Sequence, residues 1–505
     1  MAQETQEHQI NKLLIKSKVT GNSIDLTQIC EKIVLKESIF KSSIMGELYI
    51  TDTSSLIESL PIVGQEEIEI IFGYPDHSKN KDGTPDIEIE GIVYKVDNRE
   101  RTGYGASIEN YVIYFCDSVE TVNKLKRVSK TFKEKKISEY VSTISNDDLE
   151  IEVDCEQTEG EKTITIPNLN PLSAIDFLAN FSHNNQGKNN MFFFYQGRDK
   201  FYFKSIEKMI EEKNNNGVEI YFSKFPNYFD IDHPIQKYIQ HISNQSSGDE
   251  TEDVSDIIRE SRESEEFQSL SKQQQKKISE RVSESKVISI QDFVAMATVE
   301  FFDMYQAEYY QFKESFDNFN QAELGYFGFT NYAHDSLTKS FHKVEYNYSD
   351  NFQDLSNLNG NDIKTKEYEI SQNPINTRIY CRNTDAGKLN SKYIKDKMKN
   401  QSLMTNHYDE ERKPLKNTKK SRIFKGHKFY VRLPAISKLK LGDVVKVKFP
   451  SFKVQNEKMR ERKYPDDKYY SGNYLVLEIT HTILKLNTWN TELFLVSDSL
   501  SDKIG

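Results

Sequence analysis

Apolar and polar residues alternate along the first 116 residues, and this period of two constrains the fold more than any other feature of the sequence. The segment 44–50 reads IMGELYI and the segment 67–70 reads EIEI. Side chains alternate between the two faces of a β-strand, so such segments bury one face and expose the other. The runs GIVYKV at 91–96 and YVIYFC at 111–116 follow. The pattern predicts an antiparallel sheet or barrel over residues 1–116.

Residues 117–210 change to a mixed pattern that predicts a small inserted α+β domain. Apolar residues recur every three positions from Val119 to Val128, and again at spacings of three and four from 137 to 144. This spacing places them on one face of a helix. The basic stretch KLKRVSKTFKEKK at 124–136 lies between these patterns. We interpret it as the outward face of amphipathic helices.

A further helix and a hairpin are predicted in the same domain. Asn170 is a capping residue type, and Pro171 after it would occupy the first helical position. The runs MFFFY at 191–195 and KFYFKSI at 200–206 flank a turn that contains glycine. Two strand-like runs around such a turn predict a β-hairpin.

The middle of the chain is polar. We assign residues 211–286 to a connector, because 246–286 is rich in Ser, Gln and Glu and poor in apolar residues. Between 247 and 266 there are nine acidic residues and two arginines. This composition is typical of a linker, a disordered insertion or an exposed helix.

The remaining residues predict a second β-rich region with an interruption. Residues 287–384 form its first part, 385–425 are a basic arm or loop, and 426–505 carry its closing strands. Twelve aromatic residues lie between 301 and 332, where Lys313 is the only basic residue. Base stacking on aromatic rings is accompanied by a positively charged groove, so the band is better explained as a core or a subunit interface.

The net charge of −11 conceals an asymmetry. Residues 388–463 contain 23 Lys and Arg against seven Asp and Glu, a net charge of +16, so the rest of the chain carries −27. The overall charge disfavours binding to nucleic acid or to an anionic membrane surface. The +16 block indicates a docking surface for an acidic partner. Neither membrane insertion nor a secretory signal is expected, because no apolar run is long enough.

No catalytic, cofactor or metal signature is present. The ten histidines form no metal-binding motif, and no phosphate-binding loop, dinucleotide fingerprint or nucleophile elbow occurs. We predict a protein that is not an enzyme, with no catalytic, cofactor-binding or metal-binding residues and no cofactors. The 78 acidic residues leave a glycosidase-type carboxylate pair open. His481, in an apolar strand, is interpreted as a core or interface histidine.

The cysteines match no zinc or redox spacing, and we expect them to be reduced and mostly packed. They are Cys30, Cys116, Cys155 and Cys381.

Four segments, taken in order along the chain, carry a resemblance to a known family. SIFKSSIMGELYITDTSSLIESLPIVGQEEIEIIF at 38–72 is followed by FCDSVETVNKLKRVSKTFKEKKISEYVSTI at 115–144. IPNLNPLSAIDFLANFS with the MFFFY hairpin comes third, and LGDVVKVKFPS with SGNYLVLEITHTI comes last. This order resembles the baseplate central hub proteins of contractile-tailed, T-even-like bacteriophages.

The resemblance implies an α+β, mainly β fold. It implies two tail-tube-like antiparallel β-barrel or sheet domains, an inserted small α+β domain and a polar acidic insertion. It also implies a homotrimer whose pseudo-sixfold ring adapts the hexameric tail tube to the trimeric central spike. Its partners would be the spike, tail tube and tube-initiator proteins, and also tape-measure and baseplate wedge proteins. Phage DNA would pass through without specific binding, in a virion tail baseplate assembled in the host cytoplasm.

Two other functions stay open at this stage. One is a hub or spike-adaptor subunit of a bacterial contractile injection system. The other is a cell-wall hydrolase carried by a tail, which would need an acid pair or a catalytic triad in a cleft.

Overall fold

A computed structural model describes the chain in separate stretches. They are residues 9–53, 56–60, 62–73, 87–102, 108–184, 188–212, 219–221, 304–306, 309–312, 318–335, 340–362, 378–384, 407–434, 436–449, 467, 469–485 and 488–502. The predicted acidic insertion at 246–286 lies outside these residues. The chain divides into two compact units: a larger one (Met1–Asn216, Tyr310–Val444 and Asn473–Gly505) and a smaller one (Gly217–Tyr309 and Val445–Gly472).

Strands outnumber helices among the described residues. The strands are β1 (Gln9–Lys16), β2 (Ser23–Asp25), β3 (Cys30–Ser38), β4 (Met45–Asp52), β5 (Glu67–Gly73), β6 (Ile87–Thr102), β7 (Ile108–Cys116), β8 (Val128–Lys135), β9 (Val153–Cys155), β10 (Lys162–Leu169), β11 (Phe192–Gln196), β12 (Phe201–Ser205), β13 (Glu219–Tyr221), β14 (Met304–Gln306), β15 (Tyr309–Phe312), β16 (Gly328–Asp335), β17 (Ser340–Asn347), β18 (Ile379–Thr384), β19 (His427–Pro434), β20 (Val444–Lys448), β21 (Gly472–Leu484) and β22 (Thr488–Ser497). The α-helices are α1 (Leu56–Ser59), α2 (Ser118–Leu125), α3 (Ile137–Ile144), α4 (Pro171–Ala179), α5 (Ile206–Glu212), α6 (Asn318–Glu323) and α7 (His407–Lys425).

One antiparallel sheet dominates the larger unit. Its strands lie in the order β19-β22-β21-β3-β4-β7-β6-β5-β1-β2. The alternation read from the sequence matches the burial of β4, in which every second residue is buried. Gly46 on this strand is required by packing, because a Cβ there would lie 2.0 Å from Cζ of Phe115.

The strands of the C-terminus share this sheet with those of the N-terminus. Strand β21 pairs with β3 from Glu478 opposite Ser38 to Leu484 opposite Lys32. The sequence predicts that residues 426–505 close a second tube-like domain. The structure joins those strands to the sheet of the first, and the division into two tube-like domains stays a prediction.

The sheet curves around an apolar core. Buried residues of β1, β3, β4, β5 and β7 form one cluster, to which Leu56 of α1 and Trp489 of β22 also belong. Phe72 on β5 and Trp489 meet with ring centroids 5.0 Å apart. Strands that are distant in the sheet order therefore contact each other through their side chains.

Residues 117–210 build a second apolar cluster from α3, α4, β11 and β12. The predicted hairpin is present, with Phe192 opposite Ser205 and Gln196 opposite Phe201. The predicted helix begins at Pro171, but Asn170 does not cap it with its side chain. The Leu172 N–H instead donates to Oδ1 of Asn123 at 3.0 Å, because Asn123 at the end of α2 is packed against this helix start.

The basic stretch at 124–136 differs from its prediction. Most of it is strand β8, which pairs with β10 in a two-stranded sheet, so it is not the outward face of helices. Only Val128 and Phe132 of β8 are buried. Their spacing of four residues imitates a helical stripe, which explains the wrong interpretation.

Part of the segment predicted as a basic arm or loop at 385–425 is helical, since residues 407–425 form helix α7, while residues 385–406 lie outside the described residues. The helix contacts strand β16, which lies between β17 and β18 in a separate three-stranded sheet. Lys419 and Arg422 of this helix are buried. Leu415 and Ile423 are buried as well, so the inner face combines apolar and charged groups, and apolar periodicity alone does not reveal the charged ones.

In the smaller unit, three strands pair in parallel. Strand β13 lies between β14 and β20, with Ile220 opposite both Tyr305 and Val447. Glu219 forms ion pairs with Lys448 and Lys446, at 2.8 and 3.5 Å. Taken together, the described strands and helices confirm the predicted α+β, mainly β class. No helix in the described stretches is long and apolar enough to span a membrane.

Candidate assembly surfaces and the network that supports them

Among the described residues, part of the edge of the main sheet along β6 is uncovered. The strand pairs with β5 from Ile87 to Ile92, whereas from Ile92 to Thr102 it pairs with β7. On its β5 side, residues 94–100 have no partner strand among the described residues. An open edge presents unpaired backbone N–H and C=O groups and can pair with another chain. At the far side of the sheet, β2 is a three-residue edge strand that pairs with β1.

Charged side chains form ion pairs beside this uncovered part of β6. Glu109 on β7 accepts a hydrogen bond from Nε of Arg99 at 2.9 Å and also pairs with Arg101. These two hydrogen bonds, that from Arg101 first, lower the pKa of the Glu109 carboxyl. Charges on an edge disfavour indiscriminate pairing, so a partner must match them.

A buried charge network lies where three parts of the larger unit meet. Glu37 is on β3, His481 is on β21, and Arg198 is in the turn between β11 and β12. Arg198 Nε lies 3.2 Å from Oε1 of Glu37, and His481 Nε2 lies 3.5 Å from the same oxygen. Arg198 also donates from its NH1 group to the Ser437 carbonyl at 2.8 Å. The network ties the inserted α+β domain to the joint between β3 and β21.

The protonation of this network follows from burial and from its partners. Burial alone would raise the pKa of Glu37, but Arg198 and His481 more than offset it and the pKa is lowered. Burial lowers the pKa of His481 below 6.5, against the opposing effect of the nearby Glu37 carboxylate. The Trp489 indole donates to Nδ1 of His481 at 3.2 Å, which places the ring proton on Nε2, facing Glu37. The network therefore holds a carboxylate, a guanidinium and a neutral imidazole.

A hydroxyl, an imidazole and a carboxylate lie in a row at this network, in the order Thr491, His481 and Glu37. Oγ1 of Thr491 lies 3.1 Å from Nδ1 of His481. Such an arrangement can support nucleophilic catalysis only where substrate reaches the hydroxyl. His481 and Thr491 have no exposed surface, and Thr491 also accepts from the Ile436 N–H at 3.2 Å. His481 therefore lies in the core, one of the two places that the sequence indicated, with Nδ1 close to Trp489 and Thr491.

The neutral, buried His481 predicts a pH dependence of stability. The unfolded chain takes up a proton below pH 6.5, whereas the folded protein resists it because its pKa is lowered. This contribution is present above the unfolded pKa and is lost as the pH falls through the folded pKa. Between about pH 7.5 and about pH 5.5 we expect the unfolding free energy to fall more steeply than in His481→Gln, by up to about 1.4 kcal/mol per pH unit. Urea unfolding of both proteins measures this, and equal slopes would contradict it.

Helix α7 is fixed to the larger unit by three cationic side chains. Lys416 Nζ donates to the Ala179 carbonyl at 3.3 Å, and Lys419 Nζ lies 2.9 Å from Oε1 of Glu207. Arg422, with no exposed surface, lies over the rings of Tyr326 and Tyr348.

Arg198, Lys419 and Arg422 were not identified from the sequence as structural residues. In the sequence each of them stands among other polar residues, and nothing in its neighbourhood indicates that it is buried.

The other residues singled out by the sequence lie in scattered places. In the aromatic band, Tyr326 and Phe329 are buried and Phe319 is 77% exposed, while most of the remaining rings lie outside the residues whose side chains are described. The four cysteines are free; Cys30 and Cys116 are buried, Cys155 is half-buried and Cys381 is exposed. No cluster of His, Cys, Asp and Glu in the described stretches could hold a metal ion.

Comparison with known proteins finds similarity in fold. No protein-family model matches the chain, and no curated protein matches it in sequence. The 43 kDa tail protein of prophage MuSo2 from Shewanella oneidensis matches with a TM-score of 0.50 at 11% sequence identity, covering 97% of this chain and 99% of that one. The tail protein from Neisseria meningitidis MC58 matches at 0.44 and 9%, covering 97% of each chain. Prophage tail protein gp18 from Listeria monocytogenes EGD-e matches at 0.39 and 9%, covering 98% and 96%.

The match to the MuSo2 tail protein extends over nearly the whole of both chains. This chain therefore shares the fold of a phage tail protein, and the resemblance predicted from four sequence segments is confirmed at the level of the fold.

Proposed function

We propose that this protein is a structural hub subunit of a contractile phage tail baseplate. In this role three copies form a pseudo-sixfold ring that adapts the hexameric tail tube to the trimeric central spike. The subunit is a component of the virion tail, assembled in the host cytoplasm, and has no enzymatic activity. Its neighbours are the spike, the tail tube and tube-initiator proteins, and further out the tape-measure and wedge proteins.

The observation that carries this proposal is the continuous sheet, in which no described strand covers one side of β6 at residues 94–100. Strands from both ends of the chain share the sheet at the β3–β21 joint, and residues 94–100 of β6 offer an edge to a partner. Copies that join through two different surfaces form a ring when the rotation closes, and closure covers edges that would otherwise stay open. A fold shared with a phage tail protein supports the same role.

The outward face of the sheet fits a conduit that does not hold DNA. Lysines on it are matched by glutamates on the neighbouring strand, as in Lys36 with Glu47 at 2.5 Å and Lys16 with Glu67 at 3.5 Å. Paired lysines release fewer counterions on contact with phosphate, so they bind it weakly. The paired face carries no excess of cations, and the acidic lumen that we propose rests on the net charge of −27 carried by residues outside 388–463. A neutral or basic lumen in the assembled ring would contradict that part of the proposal.

We expect the purified chain, alone or with its spike protein, to have the mass of three copies. Mass photometry across a dilution series measures this. A closed ring of three copies should give only the masses of the ring and of its dissociation products, with no assemblies larger than three copies. A stable monomer both alone and with the spike would contradict the proposal. A reconstruction of the particle should then place the chain on the tail axis.

Two alternatives make different predictions. A hub of a bacterial injection system would be encoded beside sheath, tube and effector genes, whereas a phage hub would be encoded beside capsid and tail genes. A tail-associated hydrolase would clear peptidoglycan in a turbidity assay, and we expect no clearing. The burial of His481 and Thr491 argues against a hydrolytic site at that position.

A further inference from the structure

The inserted α+β domain carries a row of cations with little internal compensation. Residues 124–136, here called the basic ridge, contain seven Lys and Arg and one acidic residue, Glu134. Within the described part of the chain, Lys126 is the one ridge cation in an ion pair, with its Nζ 3.5 Å from Glu150 Oε1. Lys130 and Lys133 are exposed, and so is the apolar Leu125, at 81%. This surface is suited to binding an acidic partner surface.

The ridge is held in a fixed shape. Strand β8 pairs with β10, and Val128 and Phe132 anchor it in the apolar cluster of the domain. The Asp117 side chain caps the helix α2 that leads into it, accepting from the Val119 N–H at 2.8 Å. Preformed charges lose little entropy when a partner binds, so a rigid row is suited to selective docking.

The same domain carries the opposite charge in its next segment. Residues 147–161, here called the acidic segment, contain eight Asp and Glu and no Lys or Arg. Asp147, Glu152 and Glu161 are exposed and form no ion pair among the described residues. Asp154, by contrast, is already paired with Lys200 at 3.2 Å. The pair of Lys126 with Glu150 is thus the single described ion pair between ridge and segment.

We propose that the basic ridge of one copy docks on the acidic segment of the next copy in the ring. This inference rests on the proposed homotrimer and adds the surfaces that join its copies. Because the two surfaces differ, the contact is heterologous, which is the type of contact that closes into a ring. Leu125 provides the apolar contact within the charged rim, as in interfaces where a buried centre is surrounded by polar groups.

Nucleic acid is a less suitable occupant of the ridge. Phosphate binding depends on many uncompensated cations, and the acidic segment touches the ridge at Glu150. The chain as a whole is negative, with a net charge of −11. A protein surface that alternates acidic and apolar groups matches the ridge better than a uniform polyanion does.

The test is charge reversal with rescue in the full chain at about 0.1 M salt, where the Debye length is about 10 Å. Lys130→Glu/Lys133→Glu and Asp147→Lys/Glu152→Lys should each raise the trimer dissociation constant at least about tenfold. Combining all four substitutions restores opposite charges between copies and should recover most of the affinity. Lys41→Glu/Lys420→Glu changes two exposed lysines outside the ridge by the same total charge and should leave association unchanged. Far-UV circular dichroism checks that each variant is folded.

The outcomes separate this inference from the proposed function. A wild-type trimer that is insensitive to both reversals, or no rescue in the combined variant, overturns the docking surfaces and leaves the trimer standing. A wild-type monomer with and without spike overturns both. A labelled duplex DNA of about 30 base pairs is the competing probe. If wild type binds it and Lys130→Glu/Lys133→Glu does not, the ridge is a nucleic-acid surface and the inference is wrong.

Discussion

Replacing Arg422 by alanine is expected to lower the free energy of unfolding by about 3–5 kcal/mol, as removal of one partner from a buried ion pair does. Arg422 has no exposed surface and its NH1 group lies 2.5 Å from Oδ1 of Asp362. Its guanidinium lies 4.0 Å from the ring centroid of Tyr348 and 4.4 Å from that of Tyr326. Alanine would leave Asp362 without this cation and the two rings facing a void.

Arg422 stays protonated in the folded protein. Burial alone would lower the pKa of the guanidinium, but Tyr326, Asp362 and Tyr348 more than offset it and the pKa is raised. Arg422→Lys keeps the charge but loses the planar stacking on both rings and the Nε–H donated to the Tyr326 carbonyl. We therefore expect the lysine variant to recover less than half of the lost stability.

Urea unfolding measures both variants, and Arg432→Ala is the matched control. Arg432 donates from Nε and from its NH2 group to Oε1 of Glu492, but its side chain is 47% exposed. An exposed pair of this kind is worth about 1 kcal/mol or less. If Arg422→Ala unfolds at the same urea concentration as Arg432→Ala, the role assigned to Arg422 is wrong.

The sequence predicts local structure well where burial follows backbone period. The alternation in β4, the start of α4 at Pro171 and the β11–β12 hairpin all follow from neighbouring residues. The period fails in β8, because a two-stranded ribbon buries only Val128 and Phe132 and exposes the three residues between them. Spacing alone cannot separate that pattern from one face of a helix.

Contacts between distant segments could not be predicted from one sequence. Strand β21 pairs with β3 across more than 400 residues, and no local pattern encodes that choice. Buried cations are equally hidden, since Lys and Arg are almost always exposed and are buried only with partners. Arg422 donates to the Tyr326 carbonyl and to Asp362, which are 96 and 60 residues away from it in the sequence. The buried charge network of Glu37, Arg198 and His481 depends on such contacts, so it emerged only from the structure.

Replacing Arg198 is the second change with a large expected effect. Arg198→Met should lower the free energy of unfolding by about 3–5 kcal/mol, because it leaves the carboxylate of Glu37 buried without its cation. Oε2 of Glu37 has no hydrogen-bond donor among the described residues, so the carboxylate depends on Arg198 and His481 at Oε1. The Ser437 and Leu439 carbonyls would also lose the hydrogen bonds that Arg198 donates.

A second substitution distinguishes buried charge from lost packing. Glu37→Leu removes the carboxylate, so the double variant Arg198→Met/Glu37→Leu should regain much of the stability that Arg198→Met loses. Lys440→Ala is the control in the same place, because Lys440 pairs with Asp199 in the same turn at 2.9 Å with both side chains partly exposed. It should cost about 1 kcal/mol or less. Equal losses in the single and double variants would mean that Arg198 acts by packing alone, and the charge network would then not be what joins the inserted domain to the β3–β21 pair.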